Sequence, residues 1–270
     1  MNRALPIFVA LALLIQGRII AQEKTPAPSD AAEVAKKLAN PVASMISLPF
    51  QNNLDVGIGD NNGARNTLNI QPVIPVKLSE SVNLIARVIL PVVSQFNITG
   101  EGTSQSGLGD ALVSGFFSPT SSKSKWIWGA GPAILVPTAT SDYLATKKLG
   151  IGPTALALRQ INGWTFGALA NQIWSVAGDK DRPDVNQLFL QPFLNYNWKS
   201  GAGLGVNAEM TQNWEASTTS VFINPTLSGV TKLGKQIVSL VVGPRLHVAA
   251  AEGTRADFGI RAALTLVFPE

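Results

Sequence analysis

The sequence contains no cysteine, which excludes a disulfide scaffold and any cysteine-ligated metal site. Charged residues are also scarce, at 14% of the chain, whereas soluble globular domains have about a quarter. Its 24 glycines are far too few for collagen, which needs about one in three. With 46% hydrophobic residues, the chain is too apolar to be disordered. These shortages indicate a folded protein that is poor in charge.

Net positive charge is small as well. The formal value of +4 includes Arg3 and Arg18, which lie in the first 21 positions, where no Asp or Glu occurs. Without that stretch, 19 basic and 17 acidic residues remain, a net charge of +2. Nucleic-acid binding needs a dense basic face, so we expect no nucleic-acid partner.

The first 21 residues have the pattern of a signal peptide. Arg3 precedes an apolar run of 11 residues, 5–15, which only Pro6 interrupts. A membrane helix needs about 20 such residues, whereas a signal peptide needs fewer. We predict cleavage after Ala21; the alternative is a buried helix of a cytoplasmic protein. After residue 22 the sequence has no apolar run of about 18 residues, so it predicts no membrane-spanning helix.

Residues 22–41 read as a linker followed by a short helix. Proline at positions 26 and 28 is typical of a linker. Ser29 or Asp30 can cap a helix over 31–39, and Asn40 followed by Pro41 ends it.

From residue 42 to 270 the sequence alternates apolar and polar residues in stretches of about ten, separated by turn-forming residues. Such alternation predicts an all-β fold. Twelve stretches occur, an even number, as a closed antiparallel barrel requires. They lie near 46–58, 64–76, 82–94, 106–117, 126–137, 149–159, 164–176, 186–198, 202–213, 220–231, 236–248 and 257–268.

Alternation alone fits either a soluble sandwich or a membrane barrel, and three observations favour the barrel. Tryptophans lie at the ends of the predicted strands, as in the aromatic girdles of membrane barrels. Connections alternate between short and long, as do periplasmic turns and external loops. Each stretch is long enough to cross a bilayer at a tilt of about 40°. We therefore predict a transmembrane antiparallel β-barrel of twelve strands in a bacterial outer membrane, with these girdle residues: Trp126, Trp164, Trp174, Trp198, Trp214 and Phe268.

Several segments resemble the outer-membrane transporters grouped with the meta-pathway phenol-degradation family. They are LANPVASMISLPFQNN (38–53), TLNIQPVIPV (67–76), GLGD (107–110), WIWGAGPAILVPTAT (126–140), GALANQIWS (167–175), LQPFLNYNW (190–198) and VTKLGKQ (230–236). The resemblance covers residues 38–268 and implies a Gram-negative outer-membrane barrel with a transport role. It carries over no catalytic residues.

If the apolar face meets lipid, the opposite face lines the lumen and supplies the candidate solute-contacting residues. They are Arg87, Asp110, Asn171, Gln191, Asn195, Asn207, Glu209, Asn224, Arg245, His247 and Arg261. This polar set fits either a weakly cationic conduit or charge pairs that brace a filled interior. The short helix either plugs the lumen or lies in the periplasm. Three aromatic residues of the lumen face, Phe189, Phe193 and Phe222, form either a patch for aromatic solutes or simple packing.

Signals for an enzyme are weak, and we expect neither catalysis nor a cofactor nor a bound metal. His247 is the only histidine, and Ser239, on the same strand face, lies more than about 25 Å away along an extended strand. Asp179, Asp181 and Asp184 read as a solvated loop rather than a calcium site.

The predicted function is passive passage of small solutes, aromatic or anionic, across the outer membrane. The alternatives are a structural or loop-binding barrel with a filled lumen and a lipid-modifying barrel enzyme. The expected partners are outer-membrane lipid and lipopolysaccharide, small-molecule solutes and the barrel-assembly machinery.

Overall fold

The computed structural model describes residues 28–121 and 125–268. The predicted signal peptide, most of the predicted linker and the side chains of Ser29 and Asp30 lie outside the described part. Within it, the structure contains no helix that is long and apolar enough to cross a membrane.

One helix precedes fourteen strand segments in the described part of the chain. The helix α1 spans Pro28–Leu38, close to the predicted 31–39. The strands are β1 (Ile46–Ile58), β2 (Gly63–Ile70), β3 (Val73–Lys77), β4 (Val82–Phe96), β5 (Ser104–Leu108), β6 (Ala111–Pro119), β7 (Trp126–Val136), β8 (Lys148–Ile161), β9 (Trp164–Gly178), β10 (Asn186–Asn197), β11 (Ala202–Asn213), β12 (Thr218–Leu233), β13 (Gln236–Ala249) and β14 (Phe258–Phe268).

All strands belong to one antiparallel sheet that closes on itself. The last strand pairs with the first, from Ile46 opposite Phe268 to Val56 opposite Phe258. Two strands of the barrel wall each consist of two segments. Residues 71–72 separate β2 from β3, and residues 109–110 separate β5 from β6. The wall therefore has twelve strands, which confirms the predicted all-β barrel. Closure leaves no open sheet edge, so the backbone groups are paired without help from water.

The outer surface is apolar, whereas charged side chains of the wall point inward. On β13, Leu240 and Val242 are 49% and 53% exposed on the outside, while Arg245 is 9% exposed on the inside. All six tryptophans, Trp128 included, expose between 43% and 51% of their surface. Five of them were predicted; Trp128 was not, although it shares the outward face of Trp126 on β7.

The two ends of the barrel differ in their connections. At one end, here called the loop end, run the segments 59–62, 97–103, 137–147, 179–185, 214–217 and 250–257. At the other, the turn end, the described strands are joined through 78–81, 162–163, 198–201 and 234–235. The N-terminal residues approach the barrel at the turn end.

Residues 28–45, here called the N-terminal segment, lie across the turn end. Ala31 and Ala35 of α1 are buried, and the Ala35 and Lys36 carbonyls accept hydrogen bonds from Asn197 (3.5 Å) and Gln160 (2.8 Å). The segment continues to β4, where Asn83 Nδ2 donates to Ser44 Oγ over 3.0 Å. It thus contacts the ends of β10, β8 and β4, three separate parts of the wall.

Candidate functional site

Four charged residues form a network inside the lumen, here called the charged network: Asp55, Glu209, Arg245 and Arg261. Glu209 Oε2 lies 2.6 Å from Arg245 Nη1, and Glu209 Oε1 lies 2.8 Å from Arg261 Nη2. Arg245 Nε also lies 3.1 Å from Asp55 Oδ1. The network links β1, β11, β13 and β14 and contains equal numbers of acidic and basic groups.

Amide side chains complete the hydrogen bonds of the charged network. Asn53 Oδ1 accepts from Arg261 Nε at 2.8 Å, and Asn224 Oδ1 accepts from Arg245 Nη1 at 3.3 Å. Asn224 in turn donates to Asn207 Oδ1 at 2.9 Å. Two buried guanidinium groups therefore face paired carboxylates and amides, which offsets the cost of burying them. This part of the interior is braced rather than free to bind a solute.

His247 is held by neighbours on three sides. Its ring stacks on Phe222 at 3.9 Å between centroids, and Phe222 carries the Arg245 guanidinium on its other face at 3.5 Å. The Ala256 N–H donates to His247 Nδ1 at 3.0 Å, so a neutral ring carries its hydrogen on Nε2. That nitrogen lies 3.0 Å from Ser220 Oγ and donates to it. The ring therefore does not act as a base toward Ser220 here, and Ser239 is not its partner.

A cavity of about 830 Å³ fills the lumen on the loop-end side of the barrel. Its volume lies within the range of about 300–1,000 Å³ that is usual for small-molecule pockets. Six of the predicted lumen residues line it: Arg87, Asp110, Asn171, Gln191, Glu209 and Arg245. The other five do not: Asn195, Asn207, Asn224, His247 and Arg261.

Three arginines line the cavity without a carboxylate at ion-pair distance: Arg65 and Arg87 on the barrel wall, and Arg182 in the loop 179–185, which donates to the Asp142 backbone carbonyl. Arg65 Nε donates to Gln95 Oε1 at 3.0 Å, and Arg87 Nη2 donates to Gln71 Oε1 at 2.7 Å. Among the described residues, none of the three guanidinium groups lies within 4.0 Å of a carboxylate. Arg65 was not predicted, although it shares its strand face with the polar residues Thr67 and Asn69. The cavity wall therefore carries two guanidinium groups outside ion pairs, and Asp55 lies directly opposite Arg65 on the neighbouring strand.

Asp110 holds a loop rather than facing the cavity as a free charge. It lies at the break between β5 and β6, and its carboxylate accepts from Ala139 N (3.1 Å), Thr146 N (2.7 Å) and Thr146 Oγ1 (2.6 Å). These bonds fold the segment 137–147 against the barrel wall, so that Leu144 and Thr146 line the cavity. The strand break thus positions a loop at the cavity entrance.

Ion pairs connect the loops above that entrance. Lys148 Nζ lies 2.8 Å from Asp184 Oδ1, which also accepts from Ser175 Oγ at 3.0 Å; these hydrogen bonds lower the pKa of the Asp184 carboxyl. Lys147 lies 3.0 Å from Asp142 and, through the hydrogen bond between them, lowers the pKa of that carboxyl too. In the described part of the chain, no three potential metal-binding side chains come together.

The cavity ends on a cluster of buried apolar residues, here called the apolar floor: Val42, Ile85, Phe116, Leu156, Leu158 and Leu169. Phe116 and Leu169 belong to both the floor and the cavity lining. Phe189 and Phe193 pack against the floor, so both serve as packing, and Phe189 also reaches the cavity. Val42 comes from the N-terminal segment, which places that segment in the lumen as part of a plug.

Comparisons with known proteins identify the fold. No protein-family model and no curated protein matches the chain. The chain is similar in structure to an outer membrane channel from Pseudomonas putida F1, with a TM-score of 0.66 and 14% identity over 83% of this chain and 94% of that one. Outer membrane phospholipase A from Escherichia coli matches with a TM-score of 0.48 and 14% identity, over 89% and 98%.

A third match is the β domain of the Bordetella autotransporter BrkA, with a TM-score of 0.46 and 12% identity, over 83% and 100%. The chain thus has the fold of bacterial outer-membrane β-barrels, and its apolar outer surface fits that membrane. The resemblance to the phenol-degradation family stays a prediction.

Proposed function

We propose that the chain is an outer-membrane channel for the passive passage of small solutes and a member of the phenol-degradation family of transporters. The observation that carries this proposal is the cavity of about 830 Å³ inside a closed barrel, lined by both polar and apolar side chains. Loop residues such as Thr146 and Asp184 line its entrance, so solutes enter from the loop end. We assign this end to the extracellular side, because external loops are the longer ones in such barrels.

The solutes are small anions and aromatic compounds. Arg65 and Arg87 attract anions, because they form no ion pair, whereas the other two lumen arginines are paired with Asp55 and Glu209. Rings of cationic side chains are the usual basis of anion selectivity in pores. The apolar floor below them accommodates the apolar part of a solute.

Passage into the periplasm requires movement of the N-terminal segment. In this structure Val42 lies in the apolar floor and α1 covers the turn end. The same observation favours a second candidate, a structural barrel with a filled lumen. The two candidates differ in whether the segment leaves the lumen.

Planar-bilayer recording of the purified chain tests the proposal. A channel gives discrete conductance steps, and a potassium chloride gradient gives a reversal potential of the sign expected for chloride preference. The double variant Arg65→Gln and Arg87→Gln shifts that potential toward zero while the steps persist. A folded barrel that gives no conductance and no solute uptake in liposomes identifies the filled-lumen barrel instead.

A further inference from the structure

Two polar side chains at the bottom of the cavity lack partners. Ser114 on β6 and Asn171 on β9 are each only 7% exposed, and both line the cavity. Neither side chain forms a hydrogen bond with any described residue. Since no polar side-chain atom in the described part is both fully buried and unpartnered, their polar atoms reach the cavity space.

Arg87 lies beside one of them. Arg87 and Ser114 are directly opposite each other on neighbouring strands and face the lumen together. Such cross-strand pairs have Cβ atoms about 5 Å apart. The Arg87 guanidinium uses one N–H on Gln71 and keeps others for a ligand, since the group has five. A carboxylate placed here accepts from both Arg87 and Ser114.

Apolar surface adjoins both polar positions. Phe116 lies two residues from Ser114 on the same face of β6, and Leu169 lies two residues from Asn171 on β9. Both apolar side chains line the cavity and belong to the apolar floor. A ligand that reaches Arg87 therefore rests its body against the floor, with Asn171 on another part of the wall.

We propose that this position binds a small carboxylate that bears an apolar ring. The carboxylate pairs with Arg87 and Ser114, the ring lies on Phe116 and Leu169, and the Asn171 amide hydrogen-bonds a polar substituent on the ring. This assignment rests on the proposed function, since it names the class of solute that the lumen takes. An inorganic anion can pair with Arg87 and Ser114, but it has no apolar part that could contact Phe116 and Leu169.

Isothermal titration calorimetry on the full chain in detergent tests the site. The probes are benzoate and 4-hydroxybenzoate, with benzyl alcohol, acetate and inorganic phosphate as comparisons that lack the charge or the ring. We expect 4-hydroxybenzoate to bind one to one and more tightly than benzoate, and the three comparisons at least tenfold more weakly. Equal binding of benzyl alcohol or of phosphate overturns the proposal.

Substitutions of Arg87 and Asn171 test the proposed ligand contacts one at a time. Arg87→Gln lowers the affinity for both benzoates at least tenfold, and Arg87→Lys, which keeps the charge and guards against misfolding, lowers it severalfold. Asn171→Leu removes the preference for 4-hydroxybenzoate and leaves benzoate binding unchanged. The matched control is Arg159→Gln, which removes one guanidinium from outside the cavity lining. If Arg87→Gln binds both benzoates with wild-type affinity, the proposed site is wrong.

Conductance measured on the same preparations separates this proposal from the proposed function. Conductance without benzoate binding removes the site and leaves the channel. Binding without conductance under any condition removes the channel and leaves a binding site in a closed barrel, which overturns the assignment of the ligand as a transported solute.

Discussion

The two halves of the lumen are built from the same alternating strands, yet they are stabilised by opposite means. Towards the loop end, charges and amides hold the strands together across the interior, as in the pairs of Glu209 with Arg245 and Arg261. Towards the turn end, apolar side chains pack together and the chain's own N-terminal segment fills the remaining space with Val42. The cavity of about 830 Å³ lies in the first half.

This difference shows how a narrow barrel separates two tasks. A polar interior stays hydrated and accepts solutes, because each charge needs a partner or water. An apolar interior excludes water and packs densely, so it closes the path. The proposed solute site and the apolar floor can therefore lie next to each other, with Phe116 and Leu169 shared between them.

The largest expected effect comes from removing the shared carboxylate of the charged network. Glu209→Ala leaves the Arg245 and Arg261 guanidinium groups without their common partner, and breaking a buried pair costs about 3–5 kcal/mol. We expect a loss of this size in the free energy of unfolding from lipid vesicles in urea. Glu209→Gln, which keeps hydrogen-bond acceptance, loses less. Equal stability of Glu209→Ala and wild type contradicts the bracing role.

In the apolar half of the lumen, we expect stability to depend on side-chain volume rather than on charge. Leu158, fully buried in the apolar floor, leaves a cavity when changed to alanine, and such changes cost about 2–5 kcal/mol. The matched control is Leu149→Ala on the same strand, where the side chain is exposed on the outside and lipid fills the space. Urea unfolding of both variants measures the difference; equal losses show that the floor is not packed.

A tether across the turn end tests closure by the N-terminal segment. Because the chain has no cysteine, Ser44→Cys with Asn83→Cys can be bridged selectively by a short, reducible thiol crosslinker. We expect bridging to abolish conductance in planar bilayers and reduction to restore it, since the segment can then move. Ser44→Cys alone, treated alike, conducts throughout. Undiminished conductance after bridging shows that the segment need not move.

The smallest effect concerns the loops. The pKa of Asp184 lies below the ordinary value of 3.8 because Lys148 and Ser175 hydrogen-bond its charged form. The pair is therefore intact above pH 3.8 and is lost as the pH falls through the depressed pKa. We expect current fluctuations to increase in this acidic window and Asp184→Asn to fluctuate at every pH. A wild type that is insensitive to acid contradicts this role.

The strands could be predicted because each one carries its own alternating pattern of apolar and polar residues. Alternation of apolar and polar residues is a property of each strand alone, so twelve stretches and their outward faces could be identified without knowing their neighbours. The interruption at residues 71–72 was missed, although Pro72 lacks the N–H that an unbroken ladder needs. Arg65 was missed in the same strand.

Pairing across the lumen could not be predicted in this way. Asp55 and Arg245 are 190 positions apart, and nothing in the local sequence of either indicates the other. The same applies to Asp110, whose carboxylate holds a loop instead of facing a solute.

The sequence by itself determined a lipid-facing wall of twelve strands, because a period of two residues fixes which side chains point outward. Only the tertiary structure decided which arginines form ion pairs and that the N-terminal segment lies across the turn end. Both outcomes depend on which side chains meet across the interior, and that is set by closure of the whole barrel rather than by any one strand.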